Sequence, residues 1–141
     1  MSSDRLLLDT HVWIWLAFGT IDQFHADTLA AIDRASASDT LLVSIVSVWE
    51  LALLEARQRL RLPMTVDEWV ERALDRPDIR LIGLDQPRTV IDSCRLPGVF
   101  HADPADRLLV ATARSANAVL VTRDRKILDY AAEGHVRVLA A

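Results

Sequence analysis

Short apolar runs alternate with longer stretches of helical period along this chain, and that alternation restricts the fold more than any other feature. Residues 5–8 (RLLL), 40–44 (TLLVS), 79–85 (IRLIGLD), 118–122 (AVLVT) and 136–140 (VRVLA) read as strands. They are brief and mostly apolar on both faces, the pattern of strands covered on two sides rather than one. Between them, apolar residues recur at helical spacing over 11–18, 24–36, 47–62, 65–75, 86–96, 104–117 and 125–134. The punctuation agrees with the periods. Gly19 and Gly134 follow helix ends, Thr65 with Glu68 forms a capping box, Pro87 and Pro104 sit in first turns, and Pro63 is expected to end the third helix. Strands alternating with helices predict an α/β fold whose mainly parallel central sheet is covered on both faces.

The 141 residues, 51% hydrophobic with 4 Gly and 5 Pro, fit one ordered domain spanning 1–141. A chain of this length buries about 68–70% of its unfolded surface, so no staples are required. The single cysteine, Cys94, suggests neither a disulfide framework nor a thiolate metal site, and reads as a small buried thiol. The absence of a charged-then-apolar leader and of a long apolar run predicts a soluble, cytoplasmic protein with no membrane partner.

The parallel sheet gives the carboxylates a common address. In open α/β sheets, ligands collect beyond the carboxyl ends of the strands. Asp9 follows the first strand directly and Asp124 follows AVLVT in the same way; Glu50 enters from the start of the helix after LLVS, and Asp106 from the helix after HADP. Singly, each has a local explanation: Asp9 as an Asx-turn residue, Glu50 as the capping-box partner of Ser47, Asp103 and Asp106 as a similar pair. For Asp103 the cap wins, because Pro104 follows it. Together, four converging carboxylates without countercharge would repel, and a divalent cation removes that cost. An all-oxygen donor set favours Mg²⁺ or Mn²⁺ over zinc.

The remaining candidates carry less. His11, His25, His101 and His135 fall in no HxH or HExxH pattern, although His11 and His101 stand near Asp9 and Asp103. No GxSxG motif and no glycine-rich phosphate loop occurs. The net charge of −4 argues against a generally basic surface, yet Arg57, Arg59 and Arg61 cluster, as do Arg123, Arg125 and Lys126. Trp13, Trp15, Trp49 and Trp69 lie among aliphatics and read as core, with one exposed tryptophan reserved for a partner.

The segments LLLDTHVWIWL, VSIVSVWELALL, HADPADRLLVATA and LVTRDRKIL resemble, in order and spacing, the PIN-domain ribonucleases, and specifically the VapC-like toxins of prokaryotic toxin–antitoxin pairs. The resemblance spans Arg5 to about Asp129. It implies a PIN-like three-layer α/β/α sandwich and a metal-dependent endoribonuclease that cleaves RNA by in-line attack of water, leaving a 5′-phosphate and a 3′-hydroxyl. By the same resemblance Asp9, Glu50 and Asp106 would be metal-binding acids and catalytic residues with Asp124 the fourth, Mg²⁺ or Mn²⁺ the cofactor, and Thr122 a hydroxyl close to Asp124. It further implies a homodimer silenced by a small VapB-like antitoxin. Adjacency alone makes Arg107, Arg123 and Arg125 candidates for the phosphate backbone.

Two other readings compete. A phosphatase or phosphotransfer domain on a similar sheet needs a second acid two residues after the nucleophilic aspartate, where this chain has His11. A non-catalytic binding module would use the acids mainly as caps.

Overall fold

The computed structural model describes residues 4–141. The strands β1 (Arg5–Leu8), β2 (Leu41–Ser44), β3 (Ile79–Ile82), β4 (Ala118–Thr122) and β5 (Val138–Ala140) form one sheet in the order β3-β2-β1-β4-β5, every neighbouring pair parallel. The connecting helices are α1 (Thr10–Ala17), α2 (Ala26–Ala37), α3 (Ile45–Ala56), α4 (Val66–Leu74), α5 (Pro87–Ser93), α6 (Pro104–Ser115) and α7 (Arg125–Ala132), with a 3₁₀ turn at Ile21–Gln23. The expected three-layer α/β/α sandwich is therefore present, and among the described residues its sheet is wholly parallel.

The continuous leucines of β1 follow from its place at the centre of the sheet. Side chains alternate between faces, so Leu6 and Leu8 join Trp13, Ile32 and Trp69 on one side. Leu7 joins Leu109, Leu120 and Ile127 on the other. Both faces of β1 are consequently apolar, and Leu7 and Leu8 are fully buried. The chain leaves β1 toward β2 on one side and later returns to β4 on the other, so the strand order reverses at the β1/β4 boundary. Such a switch point opens a crevice beyond the strand ends.

Register then brings the crevice residues together. Leu8 pairs with Val121, and the Asp9 amide donates to the Val121 carbonyl at 2.9 Å. Asp9 and Thr122 thereby emerge side by side.

Three elements depart from the sequence expectation. Helix α3 ends at Ala56, well before Pro63, because Gln58 adopts a left-handed conformation (φ 58°) and the Arg59 amide closes back on the Leu54 carbonyl at 2.8 Å. That reversal returns Leu60, Leu62 and Met64 to the core while Arg57, Arg59 and Arg61 stay in solvent. Burial of three apolar side chains offsets the roughly 1–2 kcal/mol that a left-handed non-glycine residue costs. Strand β3 stops at Ile82, before Gly83 and the bends that follow. Helix α5 stops at Ser93, which leaves Cys94 as an exposed C-cap rather than a buried thiol.

Because Leu7 has no exposed surface and touches the layer of α6 and α7, Leu7→Ala is expected to cost about 2–5 kcal/mol. Urea denaturation reads this as a lowered midpoint at unchanged slope; a loss below about 1 kcal/mol would contradict this placement of the core.

Candidate active site

Five carboxylates line one open cavity of about 510 Å³ beyond the carboxyl ends of β1, β2 and β4: Asp9, Glu50, Asp103, Asp106 and Asp124. The four acids singled out in the sequence come from four separate segments, and the fold brings all of them to this cavity. A larger cavity of about 980 Å³ beside β5, lined by Leu6, Ala31, Val119 and Leu139 among others, includes none of these five.

Caps and site are not alternatives here. Asp9 is the N-cap of α1 and its Oδ1 accepts from the Thr10 amide at 2.7 Å. Asp103 caps α6 through the Asp106 amide at 3.0 Å, as Pro104 requires. Asp124 caps α7, where its Oδ1 accepts from the amides of Lys126 and Ile127 at 2.9 and 3.1 Å. Each cap fixes a carboxylate against a rigid helix start.

Glu50 and Asp106 cap nothing. The N-cap of α3 is Ser44, whose hydroxyl accepts from the Val46 amide at 3.0 Å. The Ser47–Glu50 capping box that would explain Glu50 locally is therefore absent: Ser47 is already inside the helix and Glu50 lies in its second turn. Both instead meet Thr10. Its hydroxyl donates to Glu50 Oε1 at 2.6 Å and is hydrogen-bonded to Ser47 Oγ at 2.9 Å.

A second threonine ties the other pair. Thr122 donates to Asp9 Oδ2 at 2.6 Å and accepts from the Asp124 amide at 3.0 Å. Thr122 is fully buried, so this link between Asp9 and Asp124 is shielded from water. Thr10 is not singled out by the sequence, and Ser47 enters it only as a capping partner of Glu50; the one available signal is a pair of polar positions on otherwise apolar helix faces.

The electrostatics match the geometry. Burial pushes Asp9 upward against the hydrogen bonds from Thr122 and Thr10. Burial also raises Glu50, opposed by Thr10 and reinforced by Asp9, Asp103 and Asp124. Asp106 is raised from 3.8 to about 7, first by desolvation and then by the charges of Asp103, Asp9, Asp124 and Glu50. No lysine or arginine pairs with these acids among the described residues. The neighbour of Asp106 is His101, whose Nε2 lies 2.9 Å from Oδ2. That nitrogen is buried and out of line for a hydrogen bond.

Two of the three arginines read as phosphate contacts are committed elsewhere. Arg107 donates to the carbonyls of Ser93, Phe100 and His101 at 2.8, 2.9 and 3.1 Å, clamping the loop that carries His101. Arg123 reaches the Ala141 carbonyl at 3.3 Å and Gln23, and its guanidinium lies 4.7 Å above the Trp15 ring. Only Arg125, with Lys126 beside it, lines the acidic cavity. His11 is exposed on the same wall, and Trp49, 51% accessible, is the exposed tryptophan.

The donor set suits a hard cation held loosely. Among the described residues no group of three or more His, Cys, Asp or Glu closes into a ready-made metal cage. An ion that keeps several waters and takes only one or two carboxylates directly, as Mg²⁺ does, needs no such cage. The surplus of buried negative charge, to which no lysine or arginine is paired among the described residues, fits that ion.

A parallel α/β/α sandwich with an acidic crevice at its switch point defines a class of protein whose ligand site lies beyond the strand ends. The chain belongs to the PIN-domain family, whose model matches residues 6–133. It is 33% identical over 122 residues to Ribonuclease VapC22 of Mycobacterium tuberculosis, covering 86% of this chain and 88% of that protein. Its fold is shared with a chain of VapBC2 from Rickettsia felis bound to a promoter DNA fragment (TM-score 0.67, 14% identity, 96% of this chain and 97% of that one). A chain of FitAcB from Neisseria gonorrhoeae is also similar (TM-score 0.61, 24% identity, 95% and 96% covered). Among the described residues no helix is long and apolar enough to cross a membrane.

The raised pKa of Asp106 has a thermodynamic sign. A carboxyl whose folded pKa exceeds its unfolded value stabilises the fold below the unfolded pKa, and that contribution is lost as pH rises through the folded one. Between pH 3.8 and about 7 stability therefore falls as pH rises. Without divalent ions, Asp106→Asn is expected to match the wild type near pH 4 and exceed it by roughly 1–3 kcal/mol near pH 8. Urea denaturation at both pH values checks this; a difference independent of pH would contradict it.

Proposed function

We propose that this PIN domain is a divalent-metal-dependent endoribonuclease, the toxin of a toxin–antitoxin pair. The observation that carries the reading is the gathering of Asp9, Glu50, Asp106 and Asp124 from four segments around one cavity with no lysine or arginine paired to them among the described residues. The relationship to a protein named as a ribonuclease supports RNA as the substrate. A bound Mg²⁺ or Mn²⁺ would supply neutralisation of the scissile phosphodiester and a lowered pKa for an attacking water.

The protein's own part is placement. Asp9, Glu50 and Asp106 would hold the ion, with one or two of them as direct ligands, and Asp124 would complete a second position or orient the attacking water. Thr122 aims Asp9, and Thr10 aims Glu50, so both carboxylates keep their direction before substrate arrives. Arg125 and Lys126 on the rim receive the phosphate backbone that the acidic centre would otherwise repel.

The reading includes a small antitoxin as partner and a homodimer as the working form. The resemblance to VapC-like toxins and the fold shared with VapBC2 support the antitoxin. Trp49 and Ile45, exposed along α3, offer apolar surface for such contacts. A cytoplasmic location is part of the same proposal.

A non-catalytic binding module is the second reading, and the open placement of the acids favours it. One experiment separates the two. Purified protein with Mg²⁺ or Mn²⁺ is expected to cleave RNA, to stop on addition of EDTA and to resume when the ion is restored. Asp9→Asn is expected to lose about 100-fold or more in kcat/KM while remaining folded. Unchanged cleavage by that variant would overturn the ribonuclease reading at this site.

A further inference from the structure

A second cavity of about 520 Å³ adjoins the acidic one and shares two walls with it, His101 and Lys126. Its remaining walls are Val99, Phe100, Asp129, Tyr130 and Glu133. Lys126, Asp129, Tyr130 and Glu133 stand at i, i+3, i+4 and i+7 along α7, one stripe on one helix face. The stripe starts at the rim of the acidic cavity and runs away from it.

The opposite wall is rigid without being buried. Tyr130 donates its hydroxyl to the Pro97 carbonyl, and the Phe100, Tyr130 and His135 rings pack as a tilted column with centroids 4.6 and 4.9 Å apart. Gly98 (φ 68°) closes on that column so tightly that a Cβ there would sit 2.7 Å from His135 Nε2. Arg107 holds the end of the same loop through the Phe100 and His101 carbonyls. On this fixed support Val99 is 89% exposed, an apolar side chain presented to solvent beside a cavity.

We infer that this second cavity is a nucleobase subsite for the nucleotide next to the scissile phosphate, and that it selects guanine. The inference rests on the ribonuclease reading of the acidic cavity and adds a specificity site to it. Single-stranded RNA is read by stacking unpaired bases on aromatic and apolar surfaces while their edges are hydrogen-bonded. Val99 and Phe100 supply the surface. Lys126, whose ammonium makes no ion pair or hydrogen bond among the described residues, stands where the two cavities meet and takes the connecting phosphate. Three residues further, about 4.5 Å along the helix axis, Asp129 offers only acceptors. An ionised carboxylate accepts two parallel N–H bonds. Guanine alone among the four bases presents two adjacent donors, N1–H and N2–H₂, on its Watson–Crick edge. Glu133 extends the acceptor wall and disfavours a second phosphate there.

The test is a titration of isotopically labelled full-length protein with the four nucleoside 5′-monophosphates, at millimolar Mg²⁺, followed by amide chemical shifts. GMP is expected to move Val99, Phe100 and Asp129 with an affinity about tenfold above that of AMP, CMP and UMP, a margin in keeping with one bidentate contact. Asp129→Asn is expected to erase the margin while Lys126→Met weakens all four alike. Both residues are exposed, and neither change removes a packing or capping contact. IMP, which lacks the 2-amino group, is expected to fall with the other three. Equal affinity for all four nucleotides, or shifts confined to other residues, would overturn the subsite. So would shifts at Val99 and Phe100 that grow with protein concentration alone, which would assign the face to a second copy of the chain. RNA cleavage measured in parallel keeps the two readings apart. Cleavage without a GMP preference leaves the ribonuclease standing and removes the subsite, whereas no cleavage with either ion removes the ribonuclease, whatever the titration shows.

Discussion

The buried pairing of β1 with β4 is the constraint on which the rest of this site depends. It leaves Asp9 and Thr122 adjacent at the moment both strands leave the sheet, and the 2.6 Å bond between them sets the direction of the carboxylate. A charged group in that position is tolerable only because its surroundings are polar and prearranged; the same group facing the leucines below it would be prohibitively costly. Thr10 performs the corresponding task for Glu50 on the α3 side. Two threonine hydroxyls thus aim two carboxylates that lie far apart in sequence.

The loop bearing His101 illustrates a different use of charge. Arg107 adjoins an acidic site yet satisfies three backbone carbonyls rather than an acid. A loop whose carbonyls turn inward leaves them without helix or sheet partners, and a guanidinium with five donors satisfies several of them at once. His101 is therefore delivered to Asp106 by a residue that never reaches the cavity. Among the described residues no lysine or arginine is left to pair with the acids, and the proposed divalent ion rests on that excess of negative charge.

Much of this arrangement was legible before any coordinates. The strand runs at 5–8, 118–122 and their neighbours implied a parallel sheet, and a parallel sheet implies a crevice where Asp9 and Asp124 must emerge. Asp103 and Pro104 likewise announced their cap. What stayed hidden depends on contacts distant in sequence. Thr10 meets Glu50 across 40 positions, and nothing local distinguishes it from an ordinary helix-start threonine. The periodicity through residues 47–62 persists past Ala56 because Leu60 and Leu62 are needed in the core, although the backbone has already reversed at Gln58. Adjacency misassigned Arg107 and Arg123 for a related reason: the demand of nearby carbonyls for donors is a property of the folded loop.

In the proposed function these carboxylates, without a lysine or arginine partner among the described residues, await a divalent ion. Calorimetric titration with Mn²⁺ near pH 6.5, repeated in buffers of different ionisation enthalpy, tests it directly, because Asp106 with a pKa of about 7 must give up its proton to serve as a ligand. The expected result is saturable uptake at millimolar Mn²⁺ or below with release of about 0.8 proton per ion from Asp106, and loss of that share in Asp106→Asn. An absence of uptake, or uptake with no proton released, would contradict it.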